Sequence, residues 1–371
     1  MDPARFNKSA PSRNHSAAAR SWSRANRLRA ERLRAQLNAV GVATESFAFA
    51  GEPTTHAVTE GIARARADGC DCVIALGGGS AIDGAKAIAG LLTNAGELPD
   101  YLEVIGRAQP LAQPAAPFLA IPTTAGTGAE VTRNAVLASP EQRVKASLRS
   151  PHLLPRVALV DSELTHDLPP ALTASTGLDA LTQLIEPYVS GRAQPLTDAL
   201  CVEGLRRAAR SLRRAFDHGR DATARADMAL ASLFGGLALA NAGLGAVHGF
   251  AAPIGGRFPA PHGAVCAALL PFVMAANLRA LRERAPQSEA LRRYEEIARL
   301  LTSRAQATAD DGVTWVQELC AALAVAPLRT FGLGESDVAS VVASAQQASS
   351  MKANPIVLSE AELRDVLTAA L

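Results

Sequence analysis

The hydrophobic pattern changes character near the middle of this 371-residue chain. Up to about residue 160, segments with helical spacing of apolar residues are interleaved with short apolar runs bounded by glycine or proline. The pattern predicts helices over 25–39, 56–67 and 80–92, and strands over 42–49, 72–76, 117–121 and 157–160. Strands that alternate with helices favour an α/β architecture with a largely parallel sheet.

Beyond residue 166 the strand pattern disappears, and long segments rich in Ala, Leu and Arg follow, such as 194–216, 222–242 and 264–282. These segments predict an all-α domain of ordinary size. We therefore expect an α/β domain over residues 24–165 and a helical domain over 166–371. Residues 1–23 are expected to be a poorly defined basic N-terminus, in which the opening strand of a nucleotide-binding domain is not recognisable.

Charge is distributed unevenly. The first 34 residues hold nine Lys or Arg and only two acidic residues. Such an arm can bind nucleic acid or a membrane surface, and a Ser/Arg-rich start resembles an organelle transit peptide. No nucleic-acid motif or apolar signal core accompanies it, so a solvated leader is the preferred interpretation, with no nucleic-acid or membrane partner.

Composition excludes several protein classes. A chain that is 48% hydrophobic and 19% charged is too apolar for extensive disorder. No uninterrupted run of 18 apolar residues occurs, so no membrane-spanning helix is expected. Five cysteines in a long chain do not suggest a disulfide framework, and a cytoplasmic location is predicted.

A glycine-rich turn follows the predicted strand over 72–76 and begins the next predicted helix. Glycines permit close backbone approach to a ligand, and a helix N-terminus attracts phosphate. Gly78, Gly79 and Ser80 are therefore candidate contacts for a nucleotide pyrophosphate. For Asp83, a cofactor contact and an ordinary helix-capping role remain equally open.

A second loop, residues 121–130, also follows a predicted strand. Thr123, Thr124 and Thr127 offer hydroxyl groups there, which suit a phosphate, a ribose or an amide-bearing ring. An ordinary Thr-rich turn is an equally good interpretation of this loop alone.

A candidate metal site combines one carboxylate with two imidazoles. His248 and His262 are surrounded by small and apolar residues, with His248 expected late in one helix and His262 at the start of another. Asp179 lies in an apolar helix, with Gln183 and Glu186 on the same face. One Asp and two His suit Zn²⁺ or Fe²⁺ with one open position. Hydrogen-bonded core polar groups are the simpler alternative.

Four motifs, at residues 77–89, 121–132, 176–182 and 261–264, closely resemble those of the iron-type (group III) alcohol dehydrogenases. That superfamily includes glycerol dehydrogenase, maleylacetate reductase and, more distantly, dehydroquinate synthase. The resemblance implies a dehydroquinate synthase-like fold: an N-terminal α/β dinucleotide-binding domain and an all-α C-terminal domain.

The resemblance also implies roles for individual residues. Gly78, Gly79 and Ser80 would bind the pyrophosphate of NAD or NADP, with Asp83 nearby. Thr123, Thr124 and Thr127 of the loop over residues 121–130, here called the threonine loop, would line the nicotinamide and its ribose together with Lys145. The four places that ligate the divalent metal in the family, Fe or Zn, are here occupied by Asp179, Gln183, His248 and His262.

Two departures from the family pattern affect this interpretation. Gln183 replaces the usual histidine, so a three-ligand site of Asp179, His248 and His262 is expected, and these residues would act in catalysis through the metal. Ala252 stands where a proton-relaying histidine often occurs, so another group or water must serve.

The implied function is an NAD(P)-dependent, metal-assisted alcohol dehydrogenase or aldehyde reductase acting on a small alcohol, in a homodimer or larger homo-oligomer. Two alternatives are a metal-independent reductase with an altered substrate, similar to maleylacetate reductase, and a catalytically silent paralogue.

Overall fold

The computed structural model describes the backbone of residues 24–371 and the side chains from residue 27 onward. The predicted basic N-terminus, residues 1–23, lies outside the described residues. The described chain forms two compact units. The first contains the residues up to Ile121 with Arg133–Ser139 and Ala146–Leu159; the second contains Pro122–Thr132, Pro140–Lys145 and Val160–Leu371.

The first unit has the predicted α/β architecture. Its elements are α1 (Arg24–Ala39), α2 (Thr55–Ala67), β1 (Val73–Gly77), α3 (Gly79–Thr93), the short α4 (Leu98–Tyr101), β2 (Phe118–Pro122), β3 (Asn134–Ser139), β4 (Val144–Arg149) and β5 (Val157–Ala158). The first two residues of β4 belong to the second unit. Strand β2 lies between β1 and β5 and pairs in parallel with β5. The three predicted helices and the strands near 72–76, 117–121 and 157–160 are therefore confirmed.

The strand predicted over residues 42–49 is wrong, because no strand forms there within the described part of the chain. The apolar side chains of this segment contact helices instead. The rings of Phe47 and Phe49 meet edge to face at 5.3 Å, and they pack at Gly61 of α2 and Gly84 of α3. The aromatic residues that suggested a strand find their partners on a helical surface.

Strands β3 and β4 form a two-stranded sheet that the hydrophobic pattern did not predict. Two side chains of helix α3 form hydrogen bonds with backbone groups of β3. The Val136 N–H donates to Oδ2 of Asp83 at 3.1 Å, and the fully buried Nζ of Lys86 donates to the Asn134 carbonyl at 2.9 Å. Asp83 lies beyond the first turn of α3 and does not cap it; the N-cap residue is Gly78. The capping interpretation of Asp83 is therefore wrong.

The second unit is helical, as predicted. Its helices are α5 (Pro170–Val189), α6 (Pro195–Asp217), α7 (Ala222–Ala242), α8 (Ala246–Arg257), α9 (His262–Arg284), α10 (Glu289–Thr302), α11 (Ala309–Ala322), α12 (Val338–Gln347) and α13 (Glu360–Ala369). Helix α5 packs against α6, α7 and α9, and every residue from Gly177 to Val189 is buried. Polar groups on this part of α5 are thus held away from water.

Helix α9 is long and apolar enough to cross a membrane, and α7 with α8 would pass the same test as one span bent by 99°. Most of the apolar stretch of α9 is buried against other helices of its unit. This is typical of a core helix, and its apolar character reflects packing on several sides.

Candidate active site

Asp179 is the buried centre of a polar cluster in the helical unit. Its side chain is almost fully buried on α5, and its Oδ1 atom accepts no hydrogen bond from the residues that the structure describes. The Nε2 atoms of His248 and His262 lie 3.4 and 3.6 Å from that oxygen. Burial alone would raise the pKa of Asp179, but His262 and His248 lower it below its usual value. A buried carboxylate oxygen without a hydrogen bond needs another partner, and a cation is suitable.

His262 reaches this cluster because a glycine follows it. It is the first residue of α9, as predicted. A Cβ atom on Gly263 would lie 2.4 Å from the Ser175 carbonyl oxygen and 3.4 Å from Cβ of Asp179. Only glycine therefore allows the start of α9 to approach α5 this closely.

His248 lies in the first turn of α8, so the prediction that it lies late in a helix is wrong. Helix α7 ends at Ala242, Gly243 then adopts a positive φ of 76°, and α8 begins at Ala246. The sequence from 222 to 257 is apolar on both sides of this break, and the pattern therefore did not separate the two helices.

Cys266 completes a group of four side chains with ligating atoms within 4.8 Å of one another: Asp179, His248, His262 and Cys266. Its Sγ atom lies 3.8 Å from Nε2 of His248 and 3.7 Å from Nε2 of His262. Sequence reasoning missed Cys266. The available signal was its position four residues after His262, which places both side chains on one face of α9.

Glu186 holds His248 from the side opposite Asp179. Its Oε2 lies 2.6 Å from Nδ1 of His248, and its Oε1 accepts the Val247 N–H at 2.7 Å. Burial would lower the pKa of His248, but Cys266 and Glu186 raise it well above its usual value. The cluster therefore attracts positive charge, a property that cation sites share.

Gln183 lies one helical turn beyond Asp179. It is buried, and its Oε1 atom has no hydrogen-bond partner within the described part of the chain. It also helps to lower the pKa of Asp179. The amide is thus close to the cluster, as its position on α5 predicts, and it presents a neutral oxygen.

The glycine turn of the first unit has the expected strand–turn–helix form. Strand β1 ends at Gly77 and α3 begins at Gly79, with no side chain capping the helix N-terminus. A Cβ atom on Gly77 would lie 2.5 Å from Cβ of Ala81, so the sharp turn requires glycine. Free N–H groups at the start of a 15-residue helix suit an anion.

The threonine loop belongs to the helical unit, together with the four-residue cluster. Gly126 packs on α5, where an added Cβ atom would lie 2.8 Å from Cβ of Thr176, three residues before Asp179. Thr123 is buried, whereas Thr124 and Thr127 are half-buried. The loop thus packs on the middle of α5, about one helical turn before Asp179.

Lys145 packs on α8, the helix that begins next to His248. A Cβ atom on Gly255 would lie 2.7 Å from Nζ of Lys145, so glycine provides the space for this ammonium group. Ala252 is exposed on the same helix, one turn after His248, and offers no group that could move a proton.

Two family models match most of the chain. Residues 21–162 match the model of iron-containing alcohol dehydrogenase, and residues 173–371 match the C-terminal model of the Fe-containing alcohol dehydrogenase family. The chain belongs to the iron-containing alcohol dehydrogenase family. It is an oxidoreductase of the alcohol dehydrogenase type, which acts on CH–OH groups, and the predicted family and fold class are confirmed.

Individual relatives agree with this assignment. Alcohol dehydrogenase 4 of Schizosaccharomyces pombe is 36% identical over 320 residues, which cover 86% of this chain and 73% of the relative. A crystal structure of 1,3-propanediol oxidoreductase is 34% identical, with a TM-score of 0.85 over 92% of this chain and 88% of that one. Sulfoacetaldehyde reductase from Bifidobacterium kashiwanohense in complex with NAD⁺ is 27% identical, with a TM-score of 0.79 over the same shares.

Proposed function

We propose that this protein is an NAD(P)-dependent, metal-assisted alcohol dehydrogenase or aldehyde reductase that acts on a small alcohol. The family assignment and an NAD⁺-bound structural relative support a nicotinamide cofactor and a metal. The names of the relatives, with a diol oxidoreductase and an aldehyde reductase among them, support a small alcohol or aldehyde as the substrate.

Gly78, Gly79 and Ser80 would hold the cofactor pyrophosphate through backbone N–H groups at the start of α3. The half-buried hydroxyls of Thr124 and Thr127 can donate to the nicotinamide amide or to a ribose oxygen. Asp83 would support α3, the helix that begins at this turn, because its carboxylate accepts the Val136 N–H of β3 and lies 3.4 Å from Nζ of Lys86.

The residues present fit a divalent cation. Asp179, His248 and His262 point ligating atoms at one another, and Oδ1 of Asp179 has no hydrogen-bond partner among the described residues. These residues would hold the cation, which would supply Lewis-acid chemistry toward the substrate oxygen for hydride transfer to or from the nicotinamide. Glu186 would orient His248 through the contact between Oε2 and Nδ1. Zn²⁺ or Fe²⁺ suits such a donor set.

The convergence of Asp179 with His248 and His262 is the observation on which this proposal depends. Activity is tested by mixing the purified protein with short alcohols and NAD⁺ or NADP⁺ and following the absorbance of the reduced nicotinamide. We expect activity that a chelator removes and added metal restores. Asp179→Asn and His262→Ala should each abolish it, whereas His56→Ala, at an exposed position on α2, should leave it unchanged.

A metal-independent reductase is the second candidate, since Gln183 and Ala252 replace two histidines of the family pattern. Elemental analysis of the native protein distinguishes the two functions. A metal-free protein with full activity, insensitive to both substitutions in the cluster, would show that the second candidate is correct.

A further inference from the structure

We propose that Cys266 binds the metal as a thiolate and takes the place of the fourth ligand that the family pattern assigns to position 183. This inference rests on the metal site of the proposed function and concerns which side chains of this chain compose it. The family pattern described above does not include Cys266. The sulfur of Cys266 is a donor chemically unlike the amide oxygen of Gln183.

Distances within the cluster support four ligands around one ion. A tetrahedral zinc site with bonds of about 2.0–2.1 Å to N or O and 2.3 Å to S separates its ligating atoms by roughly 3.3–3.6 Å. The distances here are 3.4 and 3.6 Å from Asp179 Oδ1 to the two imidazoles, and 3.8 and 3.7 Å from Cys266 Sγ to the same imidazoles. All four ligating atoms lie within 4.8 Å of one another, so inward movements of the side chains would bring them toward bonding distance of one ion.

The surroundings of Cys266 leave its sulfur directed at the cluster. The residue is fully buried on α9, and its Sγ atom contacts the Nε2 atoms of His248 and His262 in the cluster. The carbonyl oxygen of Gln183 is a neutral donor, whereas a thiolate is charged and soft. On binding, the thiol proton passes to solvent and a sulfur–metal bond forms.

A thiolate changes which metal the site prefers. Soft sulfur ligands favour Zn²⁺, and Co²⁺ takes the same tetrahedral geometry, whereas carboxylate and imidazole alone serve Fe²⁺ well. We therefore infer that this chain selects zinc more strongly than a family member with histidine at position 183 would. The protein purified after expression with both metals supplied should contain mainly zinc.

Cobalt substitution tests directly whether Cys266 is a metal ligand, and it does not depend on a measurement of enzyme activity. The full-length protein, stripped by a chelator and loaded with Co²⁺, should show a near-ultraviolet thiolate-to-cobalt charge-transfer band. Cys266→Ser and Cys266→Ala should lose that band and weaken cobalt binding at least as much as the roughly 10- to 100-fold typical of outer-shell substitutions. Cys320→Ser is the matched control, because Cys320 is also buried in the helical unit and contacts the Ala267 carbonyl, outside the cluster.

The outcomes separate this inference from the proposed function. Cobalt that binds with tetrahedral visible absorption but no thiolate band would overturn the role of Cys266 and leave a metal-assisted enzyme intact. A thiolate band that survives in Cys266→Ala would also overturn it. A protein that binds no cobalt at all would overturn both. Circular dichroism and the Tm of each variant show whether the variant has kept its fold.

Discussion

Nδ1 of His248 lies 2.6 Å from Oε2 of Glu186, while Nε2 of the same ring lies 3.4 Å from Oδ1 of Asp179. Both carboxylates belong to α5, seven residues apart, so one helix contacts both nitrogens of the imidazole. Because the hydrogen bond to Glu186 holds the proton on Nδ1, the ring would lose its second proton from Nε2 on binding a metal, and the lone pair left there faces the cluster. Sequence and geometry thus assign Glu186 the role of a positioning residue.

Replacing Glu186 with Gln should weaken metal binding without removing a ligand. The amide is a poorer acceptor for Nδ1–H and no longer favours the required tautomer, so we expect the Kd for Zn²⁺ to rise roughly 10- to 100-fold. Competition with a chromophoric chelator measures this Kd. Glu360→Gln, an exposed change on α13, should leave the Kd as it is. Unchanged zinc affinity in Glu186→Gln would show that Glu186 does not position His248.

Replacing Gly263 with Ala should separate α9 from α5. The new Cβ atom would lie 2.4 Å from the Ser175 carbonyl oxygen, a backbone atom that cannot move alone. We expect a loss of about 1–3 kcal/mol in the free energy of unfolding, together with weaker metal binding as His262 moves away. Gly191→Ala is the matched control, because an added Cβ there would meet no atom within 4 Å from any described residue beyond its chain neighbours. Equal stability of the two variants would contradict this account of the close approach.

The parts of the fold with strong local signals could be predicted from the sequence. The apolar run before Gly77 and the glycines after it predicted β1 and the start of α3, because a buried strand and a tight turn impose their own residue types. The strand over 42–49 failed because Phe47 and Phe49 suit a helix-packed extended segment as well as a strand. The choice between the two depends on long-range partners that no local pattern contains.

The cluster could be predicted only in part, for a similar reason. His262 and Asp179 were recognisable because each is a polar residue in an apolar segment. Cys266 was not, since cysteine is itself a common core residue and gives no contrast with its neighbours. The contact between Glu186 and His248 also joins positions 62 residues apart, so helix spacing could place Glu186 on the correct face of α5 without identifying its partner.

Asp227 on α7 should stabilise the helical unit in a pH-dependent way. Its buried carboxylate accepts hydrogen bonds from Arg210, Arg207 and Ser211 of α6 at 2.7–2.8 Å. Burial would raise the pKa of Asp227, but these partners, Arg210 first, lower it below its usual value. A carboxyl with a lowered folded-state pKa contributes stability above its unfolded pKa of about 3.9 and loses it as pH falls through the folded value.

Asp227→Asn should therefore lower the free energy of unfolding by roughly 2–3 kcal/mol at neutral pH. This loss is smaller than that expected on breaking a fully buried ion pair, because Arg210 is half-exposed. The difference from the unsubstituted protein should shrink as the pH is lowered below about 4. Urea unfolding at several pH values measures it. As a control, Asp310→Asn breaks an exposed salt bridge with Arg282 and should change the free energy of unfolding little at any pH. A difference that stays constant down to pH 2 would argue against the ionised carboxylate as its source.

Ser80→Asp should block the cofactor while preserving the helix that holds it. Ser80 is the second residue of α3, where a carboxylate interacts favourably with the helix dipole, so the Tm should not fall. The same carboxylate would repel a pyrophosphate bound to the free N–H groups of that turn. We expect the Kd for NADH, measured by fluorescence titration, to rise about tenfold or more, since a penalty of about 1.4 kcal/mol suffices for that change. Ser80→Ala, which adds no charge, should bind NADH more nearly as the unsubstituted protein does, and both variants should load Co²⁺ normally. If Ser80→Asp keeps its NADH affinity, the pyrophosphate does not lie at the start of α3.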